Sequence, residues 1–142
     1  MADALSPSEL LNLRAFAGAM IPASARYGVP GADDEAIFAD MAKSIGRELP
    51  AVREALDKLG DIATLPAARR VEIANQFRTK GGPAFAAITR VVLLAYYRDD
   101  RVMRSLGQEP RPPFPKGHTV EQGDWSLLDP VKARPPFWRR VP

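Results

Sequence analysis

Two acidic clusters are the first candidates for chemistry: Asp33-Asp34-Glu35 and Asp99-Asp100. Paired carboxylates can do general acid–base work or hold a divalent cation. Each cluster also has a structural reading, and it is the stronger one. Asp33 to Glu35 stand where a helix should begin, and negative charge there meets the positive end of the helix dipole. Asp99 and Asp100 stand between Arg98 and Arg101, so they can pair locally or cap the following turn. The single histidine, His118, could act as a general base, since an unperturbed imidazole titrates at about 6.5. It sits in the loop sequence FPKGHTV, where local spacing places neither a serine nucleophile nor a partner acid, so a surface or hydrogen-bonding role is expected. There is no cysteine, which excludes disulfides, thiolate metal sites and a cysteine nucleophile. A metal site would have to rest mostly on carboxylates. Gly81-Gly82 is too short for a phosphate loop and no Lys-Ser/Thr follows it; no Gly-x-Gly-x-x-Gly occurs. The chain is expected to carry no catalytic, metal or cofactor site of its own, and to bind neither FAD nor NAD by itself.

The elements that would position these groups read as helices. Ser6-Pro7-Ser8-Glu9 is a helix start, with Ser6 as cap, Pro7 at the first position and Glu9 completing a capping box. Leu10, Leu13, Ala17 and Met20 then fall on one face. Gly28, Pro30 and Gly31 mark a loop. Ile37, Met41 and Ile45 repeat every four residues in a second helix, which weakens at Gly46. Pro50 opens a third, with Val52, Leu56 and Leu59 on one stripe and Gly60 as its stop. Thr64-Leu65-Pro66 opens a fourth, whose inward residues should be Val71, Ala74 and Phe77. A fifth begins at Pro83 and is the most apolar. Phe85, Ile88, Val92 and Ala95 form its main face, widened by Val91, Leu94 and Tyr96, which predicts a central place in a bundle. Arg101 to Leu106 could add one or two turns.

From Gly107 the character changes. Eight of the fourteen prolines lie beyond it, and a proline fixes φ and lacks an amide donor. The expected fold is all-α: a compact bundle of about five helices over residues 1–106, followed by a long, irregular, proline-rich tail over 107–142. The tail nevertheless holds Phe114, Trp125, Leu127, Leu128, Phe137 and Trp138, without helical or strand period. Disordered tails are usually poor in aromatics, because they bury nothing. These six side chains should therefore cover either their own bundle or another protein, and aromatic residues are common interface anchors.

The chain has 142 residues, an ordinary 46% apolar content and a net charge of +3, with twenty basic against seventeen acidic residues. That excess is too small to indicate nucleic acid. Arg69-Arg70 and Arg98, Arg101 and Arg104 give basic helix surfaces, but phosphate binding wants a denser stripe with fewer interleaved acids. Leu13 to Ala25 is apolar and ends in small residues like a signal cleavage site, yet Asp3 and Glu9 precede it where positive charge is wanted. The run Phe85 to Tyr97 is interrupted by Arg90 and falls short of the roughly 20 residues that span a bilayer, so no membrane span is expected.

Three features together resemble the small or gamma subunit of flavin-dependent alcohol and sugar dehydrogenases, gluconate 2-dehydrogenase subunit 3. The first helix ends in AMIPAS, Ala19 to Ser24, similar to that family's IIPAD segment before a Gly/Pro loop. The late apolar helix ends in Tyr96-Tyr97, then a charged residue and an aspartate. RSLGQEPRPPFP follows and leads into an irregular C-terminus. The resemblance implies a non-catalytic subunit. In that family a large subunit of the glucose–methanol–choline oxidoreductase type carries FAD and oxidises the substrate, and a cytochrome subunit can take the electrons. The small subunit binds the large one and supports its folding and, where exported, its passage through the twin-arginine route. The tail residues named above would be the clamp. Many members begin with a twin-arginine signal; the double arginines here, Arg69-Arg70 and Arg139-Arg140, stand elsewhere. Such a complex would be carried out with its partner or would work in the cytoplasm. The alternative is a stand-alone interaction or regulatory module, weakly basic and able to touch nucleic acid.

Overall fold

The computed structural model describes residues 4–110 and 121–135. Their regular elements are all helical, with no strand among them; the nearest approach to one is a single antiparallel bridge between Ser24 and Val29. Contacts divide the chain into two units, residues 1–111 and 112–142.

The first unit is built from five long helices and one short one. α1 spans Pro7–Met20, and the capping box forms as expected: Ser6 Oγ accepts the Glu9 amide at 3.3 Å, and the Ser6 amide donates to Glu9 Oε2 at 2.6 Å. Pro22 prevents the helix from running on. The loop then folds back on α1, with the Ala32 amide donating to Ile21 O at 2.9 Å. Gly18 allows this return, because a methyl group there would come within 2.7 Å of Asp33 Cγ. α2 is Glu35–Ser44 and buries Ile37 and Met41. Gly46, with φ of 50°, turns the chain through a short 3-10 segment into α3, Leu49–Leu59, which buries Val52, Ala55, Leu56 and Leu59. A second 3-10 turn, Ile62–Thr64, is tied to α1 by Asn12 Oδ1, which accepts the Ala63 amide at 2.9 Å.

α4, Ala67–Lys80, departs from the sequence reading. Ala74 and Phe77 are buried, but Val71 is 44% exposed. The inward position one residue earlier is held by Arg70. Its Nε donates to Leu65 O at 2.7 Å and its Nη2 to Ala63 O at 2.8 Å, so the guanidinium satisfies carbonyls of the preceding turn while its stem covers apolar surface. The inward stripe of α4 is thus Arg70, Ile73, Ala74 and Phe77, and Val71 lies beside it.

α5, Pro83–Tyr96, buries Ala84, Ala87, Ile88, Val91, Val92, Ala95 and Tyr96 and packs against α2 and α3. Leu94, expected to widen this face, is 60% exposed, because it lies to the side of the stripe that those two helices cover. α1 packs against α3 and α4. Phe16, Phe77 and Phe85 join α1, α4 and α5 edge to face, with centroid separations of 6.3 and 5.5 Å. α6, Asp100–Ser105, closes the unit and buries Val102. No helix among the described residues is long and apolar enough to cross a membrane.

In the second unit, a 3-10 turn over Trp125–Leu128 runs into a one-turn helix, α7, Asp129–Lys132. Asp124 starts it, its Oδ1 accepting the Ser126 amide at 3.0 Å and the Ser126 hydroxyl at 2.6 Å. This helical segment adds order to a tail expected to be irregular.

The α4 correction is directly measurable. Phe77→Ala should cost about 3–5 kcal/mol, as buried aromatic truncations do. Val71→Ala should stay within about 0.5 kcal/mol, the range of exposed substitutions. Urea denaturation of the two variants checks both values.

Candidate interaction surface

The acidic clusters work within the fold. Asp34 caps α2, its Oδ1 accepting the amides of Ala36 and Ile37 at 3.1 and 3.5 Å. Asp99 caps α6 through the amides of Arg101 and Val102. One guanidinium joins the two caps: Arg101 Nη2 lies 2.7 Å from Asp34 Oδ1 and 3.0 Å from Asp99 Oδ2. The hydrogen bonds from Arg101 hold both carboxylates below the usual aspartate range, against the opposing effect of burial. Asp100 pairs with Arg104 at 3.0 Å. Asp33 accepts Arg14 Nε at its backbone oxygen, at 2.9 Å. Among the described residues no group of three His, Asp or Glu side chains is placed to hold a metal. His118 lies outside the described residues.

The basic helix surfaces are paired in the same way. Arg98 Nε and Nη2 reach Asp40 Oδ2 at 2.9 and 2.6 Å, Arg90 reaches Glu48 at 2.9 Å, and Arg69 pairs with Glu72. These carboxylates interrupt the positive surface that a phosphate backbone would need.

Three of the six tail residues fall within the described chain; Phe114, Phe137 and Trp138 lie outside it. Trp125 is 66% exposed, Leu127 74% and Leu128 42%. The turn at Asp124 sets them on consecutive helical positions. In a 3-10 turn residues three apart eclipse, which puts Trp125 and Leu128 on one side and Leu127 on another. Val131, three residues beyond Leu128 and also exposed, extends the first side. Sequence reading missed Val131; its signal was the i, i+3 spacing from Leu128, obscured by Pro130. The Trp125 indole donates to Gln122 Oε1 at 3.4 Å, leaving its ring open.

Two of the three segments compared above come together in the first unit. The hydroxyl of Tyr96, at the end of α5, donates to Pro30 O at 3.3 Å in the loop that follows AMIPAS. Burial, with the neighbouring Tyr97 and Asp99, pushes the Tyr96 phenol up from its ordinary value. Tyr97 is exposed and stands edge to face with Tyr96, centroids 5.3 Å apart. Comparison of the chain with known protein families, curated proteins and solved structures finds no match.

The Arg101 tie gives a pH dependence of definite sign. Carboxylates held below their ordinary values stabilise the fold above those values and lose that contribution as the pH falls through the lowered ones. Asp34 and Asp99 are joined in this by Glu9, lowered by the Ser6 amide at the α1 cap. Stability should therefore be level from neutral pH down to about 5 and fall below about 4, where free carboxylates protonate. Arg101→Gln should cost about 1 kcal/mol or less at neutral pH, as a partly exposed ion pair does. Its deficit should shrink towards pH 3, the acidic limit of the melting curves that test it.

Proposed function

We propose that this chain is a non-catalytic helical subunit. It binds and stabilises a larger, FAD-carrying dehydrogenase of the glucose–methanol–choline type, as the resemblance to gluconate 2-dehydrogenase subunit 3 implies. FAD and the oxidation belong to the partner, a cytochrome subunit can accept the electrons, and this chain assists assembly or export of the catalytic subunit.

The observation that carries the reading is the tail segment. Trp125, Leu127, Leu128 and Val131 are exposed on a turn already capped by Asp124. Grouped exposed apolar side chains mark interaction sites. Fully burying each large one is worth about 1.5–3 kcal/mol. A preformed turn loses less conformational freedom on docking than a random segment would. The meeting of the Pro30 loop with Tyr96 adds support, since it joins two of the sequence features on which the resemblance rests.

Co-expression with an FAD-carrying dehydrogenase encoded beside this chain tests the proposal. The two should co-purify with flavin on the large subunit. A double variant, Trp125→Ala with Leu128→Ala, should weaken the complex roughly tenfold to a hundredfold, as loss of one or two interface anchors does. The same variant alone should melt within a few degrees of the wild type, because both side chains are exposed. Unchanged assembly and activity in the variant would contradict the proposal.

A further inference from the structure

Residues 124–134 are already wound into helical turns. Asp124 Oδ1 accepts the Ser126 amide at 3.0 Å, and Asp124 O accepts the Leu127 amide at 3.3 Å. Asp129 O accepts the Ala133 amide at 3.0 Å, and Val131 O the Arg134 amide at 3.2 Å. Pro130 stands in the first turn of α7, where a missing amide costs nothing. The same proline would leave a gap in any ladder formed with the edge of a partner's sheet. Winding also decides which side chains can meet a partner together. A strand would put Trp125, Leu127 and Val131 on one face and Leu128 on the other. In these turns Trp125, Leu128 and Val131 share a side, and Leu127, the most exposed of the four, lies on another.

We infer that this segment binds its partner as a short helix laid in an apolar groove, with Trp125, Leu128 and Val131 as the buried anchors and Leu127 left in water. The inference rests on the subunit reading and adds to it the manner of binding. The groove belongs to the FAD-carrying dehydrogenase. Its floor is apolar and about 9–12 Å long, the rise of six residues at roughly 1.5–2.0 Å each. Charge sets the direction in which the segment lies. Asp129 and Lys132 pair with each other at 3.3 Å. That leaves Glu121 and Asp124 at the Trp125 end and Arg134 at the other. The complementary rim is basic beside Trp125 and acidic beyond Val131, and such a rim fixes orientation more than affinity.

The affinity of full-chain variants for the FAD-carrying dehydrogenase encoded beside this chain tests the inference. Leu128→Ala and Val131→Ala should each weaken binding about tenfold, as loss of one anchor does. Leu127→Ala should stay within about twofold, as contacts outside the anchors do. Leu127→Pro removes the same side chain and also the amide held by Asp124 O, so it should unwind the turn and weaken binding about tenfold. Glu121→Lys should slow association at low salt and change little at high salt. All these variants should melt with the wild type, since none of the replaced side chains is buried. A chain cut after residue 120 separates the two ideas. Undiminished binding by the cut chain overturns the tail's part in the subunit reading, and this inference with it. If the cut chain fails to bind, the tail's part stands. The inference alone is then overturned if Leu127→Ala costs as much as Leu128→Ala, or if Leu127→Pro binds as tightly as Leu127→Ala.

Discussion

Burial of one stripe of α5 against α2 and α3 is the contact around which the first unit is arranged. Ile88 and Val92 are fully enclosed there, and Ala84, Ala87 and Ala95 keep the same face narrow. Enclosing an Ile or Val is worth about 1.5–3 kcal/mol each, whereas a partly exposed ion pair is worth about 0–1 kcal/mol. Magnitudes therefore assign stability to this apolar seam and geometry to the charges. Arg101 orients the starts of α2 and α6, Arg98 reaches back from the end of α5 to Asp40 on α2, and Arg90 reaches Glu48 before α3. Each of these cations joins one helix or cap to another. The return loop after α1 is held to the same end of α5 through Tyr96.

What was legible in the sequence was what is decided locally. Ser6, Pro7 and Glu9 start α1 because their own side chains and ring geometry do so, and Asp34 and Asp99 cap α2 and α6 for the same reason. Gly46, Gly60 and Gly81 end helices with positive φ, a requirement visible in the residue type. Val71 and Leu94 were placed inward because apolar residues at helical spacing suggest a face. In the structure Arg70, bonded to the carbonyls of Ala63 and Leu65, takes an inward place on α4, and α2 and α3 cover a side of α5 that leaves Leu94 out. Neither is encoded in periodicity. The turn at Trp125–Leu128 was hidden for a related reason. Prolines on either side suggested extended chain, while the local signal was the pair Asp124 and Ser126, which make a cap over two residues.

The functional reading divides the work between the two units. The first is a helical body in which Asp34, Asp99, Arg53, Arg90, Arg98 and Arg101 serve as caps and interhelix ties. The second presents Trp125, Leu128 and Val131 on one side of a short ordered turn. That arrangement suits a subunit that holds another protein. An apolar contact on a preformed turn gains burial on docking, and the bundle does not have to open to provide it.

Hydrogen–deuterium exchange on the full chain, alone and mixed with the FAD-carrying dehydrogenase proposed as its partner, tests this account most directly. The amides of the 124–133 segment should exchange fast in the free chain, where only short helical turns protect them, and slow markedly in the complex. A complex whose 124–133 amides exchange as fast as those of the free chain would contradict it, whatever else in the bundle became protected.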